Sequence, residues 1–484
     1  MNTPIRKTKI VCTMGPNLFE KHLIAPLMKA GMNVARFNFS HGTYETHQHY
    51  YDEVCRIRDE LGLPVATMLD TKGPEIRVRS FKNGRVTLQN GQLFTLTTDE
   101  VEGDEERVSI TYKELPQDIA VGSSILIDDG LIGMQVERID GADIVCRVLN
   151  GGVVSNNKGV NIPNAHLSMP FISEKDHQDI LFAIKNGYDF IAASFTRCAD
   201  DIMQIRHILQ ENNCHTINII AKIENMEGVE NIDEILRVVD GVMVARGDLA
   251  VELSYAKVPT AQKMIIHEAN RRGKITITAT EMLSSMIENP LPTRADVSDV
   301  ANAVWDGTDA VMLSNESAMG KYPVEAVRAM KEIIIETEAA KGVFRHDKML
   351  LESMDLPEVT RGENALCKAV SSLSHDMNER GIAVLSKTGE TAKMLSKYRP
   401  GSPIFALSNS ISLCSRMAMF HNVVPVFIPY EDQDELSEHD VARILRDMKH
   451  VKNGDTLICV SGRRSSRDSS LWAAHGISTL VVGQ

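Results

Sequence analysis

The sequence has no run of about 20 apolar residues, and the apolar stretch near its basic N-terminus stops after a few residues. We therefore expect neither a transmembrane span nor a signal peptide. Its eight cysteines include no CxxC pair, a pattern typical of free thiols in a reducing cytoplasm. Long Lys/Arg runs are also missing and the formal net charge is −13, which argues against nucleic-acid and anionic-membrane partners.

Glycine and proline are scarce, with 31 Gly and 17 Pro in 484 residues, so the chain is neither disordered nor collagen-like. At roughly 150 residues per domain, this length predicts about three domains. Eight short apolar runs alternate with amphipathic stretches, the pattern of parallel strands alternating with helices. The runs are Lys9–Thr13, Asn33–Phe39, Val65–Asp70, Phe190–Phe195, Ile217–Glu224, Gly241–Asp248, Lys274–Thr280 and Ala310–Ser314.

Eight such units predict an α/β fold, a (β/α)8 TIM barrel with functional residues at the carboxyl ends of its strands. The interval between the third and fourth runs is too long for one unit, so we expect an inserted domain there. The insert alternates apolar with polar residues between turns at Asn90-Gly91, Asp129-Gly130 and Asp140-Gly141, which predicts a small β-barrel or a sandwich. A second βα series predicts a C-terminal α/β open-sheet domain, preceded by the helix GENALCKAVSSLSHDM. We place the barrel at 1–74 and 172–340, the insert at 75–171 and the C-terminal domain at 341–484.

The predicted carboxyl ends of the barrel strands are unusually polar. Glu224 and Asp248 follow adjacent strands and could hold Mg²⁺, which needs only one or two protein carboxylates. Arg36, Arg77 and Lys222 would neutralise a phosphoryl group at the same end of the barrel, so the set predicts phosphate chemistry. The full set is Arg36, Asn38, Ser40, His41, Asp70, Thr71, Lys72, Arg77, Lys222, Glu224, Arg246, Asp248, Thr280, Glu281, Ser314 and Glu316.

These residues lie in sequence blocks that resemble pyruvate kinase. The blocks are NVARFNFSHG (33–42), LDTKGPEIR (69–77), IIAKIEN (219–225), MVARGDLAVEL (243–253), ITATEML (277–283), NPLPTRADVSDVANAVWDGTDAVMLSNESA (289–318) and KYPVEAV (321–327). The resemblance implies transfer of the phosphoryl group of phosphoenolpyruvate to ADP, giving ATP and pyruvate, the last step of glycolysis. It also implies an insert that acts as a lid and a C-terminal domain that binds an effector. The chain departs from the family at Glu281 and at Asn315-Glu316-Ser317, which could tune a proton relay or an interface.

By this resemblance, Glu224 and Asp248 ligate Mg²⁺ or Mn²⁺, and Arg36 and Lys222 hold the transferring phosphoryl group. The substrate carboxylate would lie on backbone amides near Ala245, Arg246 and Gly247, at the start of a helix, and Thr280 would lie beside the methylene carbon. Proton delivery to carbon would use Thr280 and Ser314 with ordered water. The implied catalytic residues are Arg36, Lys222, Thr280 and Ser314, and the implied substrate-binding residues are Arg36, Lys222, Ala245, Arg246, Gly247, Asp248 and Thr280.

The resemblance also implies a K⁺ site made by Asn38, Ser40, Asp70 and the carbonyl of Thr71. Glu75 matches the family members that need K⁺, whereas other members carry Lys at that place. We therefore expect K⁺ dependence, because a fixed ammonium can replace a bound cation. The positions that would approach ADP are Pro16, His41, Arg77 and Lys158, the last of which belongs to the lid.

The loop from Ser386 to Thr391 resembles the family's effector phosphate loop, in which hydroxyls and backbone amides wrap an anion; an ordinary glycine turn is the alternative. The residues assigned to the effector are Ser386, Lys387, Thr388 and Thr391. The stretch SGRRSSRDSSLW does not match the loop of members that fructose-1,6-bisphosphate activates, so we expect a sugar monophosphate or AMP as the phosphorylated effector. Its Arg463, Arg464 and Arg467 could bind a second phosphate or be solvated. The resemblance further implies a homotetramer.

Two other functions fit parts of the pattern. A Mg²⁺-dependent oxoacid lyase would share the metal carboxylates and an arginine, but it would need neither a lid nor nucleotide-side residues. A non-catalytic phosphometabolite sensor would use only the C-terminal loop. Such a sensor has no use for Lys222, Glu224, Asp248 and Thr280 together, so a cytoplasmic phosphotransferase is the function that the sequence favours.

Overall fold

The structure is a computed structural model that describes residues 5–340, 358–377, 379–430, 436–464 and 472–483. Its first part contains three parallel strands that alternate with helices: β1 (Lys9–Thr13), α1 (Pro16–Glu20), α2 (Ile24–Ala30), β2 (Val34–Asn38), α3 (Tyr44–Leu61) and β3 (Ala66–Asp70). α3 begins after Thr43, whose hydroxyl accepts a hydrogen bond from the amide of Thr46. It ends at Gly62, whose φ of 61° favours a residue without a side chain.

The next part of the chain is the insert, which is almost entirely β-structure. Its elements are β4 (Ile76–Arg77), β5 (Arg85–Leu88), β6 (Leu93–Thr97), β7 (Arg107–Ser109), α4 (Leu115–Asp118), β8 (Ser124–Ile127), β9 (Ile132–Asp140), β10 (Asp143–Asn150), β11 (Gly152–Ser155) and β12 (Gly159–Asn161). Seven strands form one sheet in the order β4-β12-β8-β9-β10-β6-β7, and β5 pairs with β11. A bridge between Val78 and Ile110 connects the two outer strands, so the sheet curls into the small β-barrel that the sequence predicts.

The second half of the large barrel follows the insert. Its elements are α5 (Glu174–Asn186), β13 (Phe190–Ala193), α6 (Ala199–Glu211), β14 (Asn218–Ile223), α7 (Met226–Glu230), α8 (Ile232–Val238), β15 (Gly241–Ala245), α9 (Arg246–Leu253), α10 (Val258–Arg271), β16 (Ile275–Ala279), a 3₁₀ turn (Ser284–Ile287), α11 (Arg294–Asp306), β17 (Ala310–Leu313), α12 (Asn315–Ala318) and α13 (Pro323–Ala339). The barrel closes in the order β1-β17-β16-β15-β14-β13-β3-β2, which confirms the predicted (β/α)8 fold. Its interior is filled by apolar side chains that include Val11, Met68, Phe190 and Met243.

The predicted barrel strands lie where expected, but several of them end early. β14 ends at Ile223 rather than Glu224, and β15 ends at Ala245 rather than Asp248. α9 begins at Arg246, directly after β15, and buries Leu249 and Leu253, so the chain passes from strand to helix with no loop residues at this boundary. Glu224, Arg246 and Asp248 therefore lie in the first turns after the strands, whereas Arg36 and Lys222 lie within them. We call these strand ends and turns the barrel mouth.

The C-terminal part forms a second sheet with helices. Its elements are α14 (Glu358–Asp376), β18 (Gly381–Leu385), α15 (Glu390–Lys397), β19 (Ile404–Ser408), α16 (Ile411–Met417), β20 (Val423–Phe427), α17 (Glu438–Asp447), β21 (Thr456–Arg464) and β22 (Trp472–Val481). The strand order is β20-β19-β18-β21-β22, parallel except for β22. The helix before this open sheet packs on it, through Cys367 and Val370.

The C-terminal part contacts the barrel at the end opposite to the mouth. The ammonium of Lys9, at the start of β1, donates to the carbonyl of Val423 at 2.6 Å. Arg399 forms an ion pair with Asp309, at the start of β17, over 2.7 Å. No helix within the described residues is long and apolar enough to cross a membrane.

Candidate active site

Arg36, Asp70 and Lys222, far apart in the sequence, meet at the barrel mouth. Arg36 donates from Nε to Asp70 Oδ2 at 2.6 Å and from Nη1 to Thr13 Oγ1 at 2.9 Å. Lys222 Nζ lies 3.1 Å from Asp70 Oδ1. Burial alone would raise the pKa of Asp70, but Arg36 and Lys222 hold it below its ordinary value. Two cations, Arg36 on β2 and Lys222 on β14, are therefore arranged around one buried carboxylate.

Lys222 has three hydrogen-bond acceptors around its ammonium. Besides Asp70, Nζ donates to Ser194 Oγ at 2.6 Å and lies 2.9 Å from Glu224 Oε1. Burial opposes the charged form, yet Asp70 and Glu224 raise the pKa of Lys222 above its ordinary value. Because an ammonium has three N–H groups, each of them is engaged, and a phosphoryl oxygen would have to replace one of these acceptors.

Glu224 and Asp248 form a pair of carboxyl groups beside this lysine. Their side chains lie within hydrogen-bonding reach of each other, and Glu224 Oε2 also accepts from the amide of Phe195 at 2.6 Å. Burial raises the pKa of both groups, and it outweighs the opposing effect of Lys222. Among the described residues, no three His, Cys, Asp or Glu side chains form a metal-binding group. The pair nevertheless fits Mg²⁺, because hard oxygen donors suit this ion and a cation would favour the ionised forms of both groups.

The oxygen groups predicted to hold K⁺ lie on the ends of β2 and β3. Asn38 is opposite Asp70 in the pairing of these strands, and its Oδ1 accepts from the amide of Ser40 at 3.1 Å. The carbonyl of Thr71 accepts from Ser194 Oγ at 2.6 Å. Side-chain and carbonyl oxygens of this kind are the ligands that hard cations prefer.

Thr280 lies beside the start of α9, where the sequence predicts a cradle for a carboxylate. The amide of Gly247 donates to Thr280 Oγ1 at 2.8 Å. Thr280 has a φ of 68°, which strains a β-branched residue. The guanidinium of Arg246 supports this conformation, since it donates to the carbonyl of Thr280 at 2.6 Å and binds Asp299 with both terminal nitrogens. The Arg246 side chain thus stabilises the turn at Thr280. The backbone amide of Arg246, rather than its side chain, is the group that could bind the substrate carboxylate.

Ser314 follows β17, and its hydroxyl is buried without a hydrogen-bond partner in the described structure. Its amide donates to Glu316 Oε2 at 2.8 Å, and Glu316 Oε1 accepts from the amide of Leu283 at 3.1 Å. Glu316 therefore holds together the turns that follow β16 and β17. The free hydroxyl of Ser314 is available to a water or substrate atom.

The four residues expected to approach ADP lie on separate segments of the insert and the barrel. Arg77 pairs with Glu75 over 2.7 Å, and Lys158 pairs with Asp128 over 2.8 Å. His41 is exposed and its carbonyl accepts from His47 Nε2 at 2.7 Å, while Pro16 opens α1. The cleft between insert and barrel contains a cavity of about 310 Å³ lined by Glu75, Asp129, Phe195, Asp248 and Glu252, among others. Asp248 thus faces a space that the insert partly covers.

The predicted effector loop connects β18 to α15. Ser386 Oγ accepts from the amide of Gly389 at 3.0 Å, and Thr388 Oγ1 accepts from the amide of Glu390 at 3.3 Å. Thr391 donates to Glu363 at 2.7 Å, which places a carboxylate beside this loop. Arg467 and the side chains of Arg463 and Arg464 lie outside the described residues.

Sequence reasoning missed Ser194 and Phe195. Both follow β13, the one barrel strand after the insert for which no end residue was assigned. The rule that selected Lys222 and Asp248 also points to Ser194, because it is the first polar residue after the buried run FIAA. Phe195 contributes a backbone amide, and no side-chain pattern predicts such a contribution.

Comparisons with known proteins identify the family of this chain. The family model "Pyruvate kinase, barrel domain" matches residues 5–327, and "Pyruvate kinase, alpha/beta domain" matches residues 364–471. A curated pyruvate kinase of Staphylococcus haemolyticus is 45% identical to this chain, and the match covers 95% of this chain and 78% of that protein. A curated pyruvate kinase of Geobacillus stearothermophilus is 44% identical, and the match covers 99% of this chain and 81% of that protein. A solved structure of a pyruvate kinase from Cryptosporidium parvum has a TM-score of 0.90 at 36% identity, covering 97% of this chain and 96% of its own.

The barrel with its curled insert, and the cations and carboxylates gathered at its mouth, define an enzyme of the phosphotransferase class. The chain belongs to the pyruvate kinase family.

Proposed function

We propose that this enzyme transfers the phosphoryl group of phosphoenolpyruvate to ADP, giving ATP and pyruvate, as the last step of glycolysis. The observation that carries the proposal is the buried ammonium of Lys222, held by Asp70, Ser194 and Glu224 beside the guanidinium of Arg36. A loose phosphoryl transition state needs positioned charge rather than covalent help. Arg36 and Lys222 supply that charge from opposite sides of Asp70.

Glu224 and Asp248 would hold Mg²⁺ or Mn²⁺, and Asn38, Ser40, Asp70 and the Thr71 carbonyl would hold K⁺. The divalent ion, when bound, supplies Lewis-acid charge to phosphoryl and enolate oxygens. The amides around Ala245, Arg246 and Gly247 would bind the substrate carboxylate, and Gly247 would share its N–H with Thr280. Thr280 and the unpartnered hydroxyl of Ser314 are the proposed proton relay. ADP would lie along Pro16, His41, Arg77 and Lys158, with the insert as a lid.

Further parts of the proposal concern assembly and regulation. The domain limits are 1–74 with 172–340, 75–171 and 341–484, and the C-terminal domain would bind a sugar monophosphate or AMP at Ser386, Lys387, Thr388 and Thr391. We also propose a homotetramer in the cytoplasm, the compartment that suits eight free cysteines. An activation screen with a sugar monophosphate, AMP and fructose-1,6-bisphosphate tests the effector, and the loss of activation in Lys387→Ala would support the assigned loop.

A lactate-dehydrogenase-coupled assay with phosphoenolpyruvate and ADP tests the reaction itself. We expect ADP-dependent pyruvate formation that requires Mg²⁺ or Mn²⁺. Carbon–carbon cleavage without ADP would instead favour the oxoacid lyase. Ligand binding at the C-terminal loop with no turnover of any phosphoryl donor would favour the sensor.

The same assay tests K⁺ dependence. We expect turnover to fall by at least about tenfold when tetramethylammonium replaces K⁺ and Na⁺, since one charge is then missing from the phosphoryl site.

Glu75 pairs with Arg77 and lies 4.0 Å from Lys72, so an ammonium at this position would enter an already cationic loop. We expect Glu75→Lys to retain activity without K⁺ and the control Glu75→Gln to remain K⁺-dependent. Undiminished wild-type turnover in tetramethylammonium buffer would contradict the prediction.

A further inference from the structure

Ser194 hydrogen-bonds to the proposed phosphoryl lysine, Lys222, and to two of the proposed K⁺ ligands, Asp70 and the Thr71 carbonyl. We propose that Ser194 is a positioning residue for phosphoryl transfer, whose single hydroxyl couples the monovalent-cation site to the orientation of Lys222. This inference rests on the proposed function and deepens it. It concerns a residue outside the set that the sequence resemblance implies.

The hydrogen bonds of Ser194 make the coupling specific. Its oxygen accepts from Lys222 Nζ at 2.6 Å, and its one proton has two acceptors within reach, the Thr71 carbonyl at 2.6 Å and Asp70 Oδ1 at 3.1 Å. A hydroxyl donates only one hydrogen bond at a time. The proton of Ser194 therefore has two alternative positions, and both acceptors belong to the proposed K⁺ site.

The surroundings of Ser194 leave little freedom for movement. The residue is 1% exposed, and its amide donates to Thr71 Oγ1 at 3.1 Å. Gly73 packs so closely that a Cβ on it would lie 2.8 Å from the Cβ of Ser194. The hydroxyl is consequently held between two strand ends, and its proton is the part that can change position.

The consequence for Lys222 follows from simple electrostatics. A cation bound to the Thr71 carbonyl and Asp70 competes with the hydroxyl proton of Ser194 for both acceptors, so binding of the cation changes the position of that proton. Ser194 then still accepts from Lys222, while Asp70 has one lone pair fewer for the same ammonium. A neutral hydroxyl also anchors Lys222 without reducing its charge, whereas a further carboxylate would compete with the phosphoryl group. Lys222 thus responds to the monovalent cation through one oxygen atom.

The test uses the full-length enzyme with Ser194→Ala and a matched control, Thr196→Val. Thr196 is equally buried, lies two residues further along, and donates from Oγ1 to the carbonyl of Ala193 at 3.0 Å. We expect Ser194→Ala to lower kcat by about tenfold, as misplacement of one charged group does, with a smaller change in the KM for phosphoenolpyruvate. We also expect the K⁺ concentration for half-activation to change by at least about fivefold. Thr196→Val should alter neither quantity.

A second readout does not depend on turnover. The stabilisation of the substrate-free enzyme by KCl over tetramethylammonium chloride, measured as a shift in Tm, should be smaller in Ser194→Ala than in the wild type. Unchanged K⁺ half-activation and an unchanged Tm shift would overturn the coupling even if kcat falls. If the alanine variant does not fold, Ser194→Cys keeps the volume with a weaker hydrogen-bonding group and must give the same pattern. A wild type that forms pyruvate but ignores K⁺ overturns this inference alone, whereas one that forms no pyruvate overturns the proposed function.

Discussion

Replacing Lys222 with methionine should lower kcat by about 10²–10³-fold, the loss typical of removing one charge-stabilising donor from a buried site. The lysine is the only group described here that contacts Asp70, Ser194 and Glu224 at once, so no neighbour within the described structure can substitute for it. Methionine fills a similar volume, and Arg36 still neutralises Asp70. We therefore expect the variant to fold, and steady-state kinetics with saturating Mg²⁺ and K⁺ will measure the effect.

The control for this variant is Lys82→Met. Lys82 is on the insert, more than half exposed and 3.7 Å from Asp104, and its loss should leave kcat unchanged. Circular dichroism of Lys222→Met checks that the barrel is intact. Pyruvate formation within about tenfold of the wild type would show that the phosphoryl group is stabilised elsewhere.

Replacing Arg399 with methionine should destabilise the protein by about 3–5 kcal/mol, because it leaves a buried carboxylate without its partner. Arg399 forms an ion pair with Asp309 and donates to Asn270 Oδ1 at 3.0 Å and to the carbonyl of Gly307 at 2.9 Å. Both charged side chains are less than a tenth exposed. These contacts join the C-terminal part to the barrel at the end far from the mouth.

Denaturant unfolding followed by far-UV circular dichroism measures this change in the free energy of unfolding, from the first unfolding transition of the protein. The matched control is Arg446→Met, which breaks an exposed pair with Asp447 and should cost no more than about 0.5 kcal/mol. The activity of folded Arg399→Met at saturating substrate should stay near that of the wild type. Equal stability of the two variants would mean that the Arg399 pair contributes nothing beyond its desolvation cost.

Much of the fold could be predicted from the sequence, because each βα unit carries its own signal. Apolar β-branched runs such as Phe190–Ala193 and Ile275–Ala279 are buried on both faces, and the helices between them are amphipathic. The boundaries were less accurate. The strand that begins at Gly241 is predicted to reach Asp248 but ends at Ala245, because α9 begins at the next residue and no loop separates the two elements.

The candidate site could be predicted as a set of residues but not as a set of contacts. Glu224 and Asp248 were expected as a pair, and the structure brings them within reach of one another. The side chain of Arg246 binds Asp299, 53 residues away in the chain, instead of facing a ligand, and Lys158 binds Asp128 within the insert. A sequence gives the charge of such residues, whereas their partners depend on which loops the barrel places side by side.

The sequence by itself determined the class of fold, the polar composition of the barrel mouth and the resemblance that identified the family. These properties depend on local periodicity and on residue type, both of which are written along the chain. Only the tertiary structure decided that Lys222 has three acceptors and that Ser194 contacts both it and the Thr71 carbonyl. It also decided that no described residue hydrogen-bonds to the Ser314 hydroxyl. The physical reason is that hydrogen bonds depend on distances of about 3 Å between groups from separate strands, which closure of the barrel establishes.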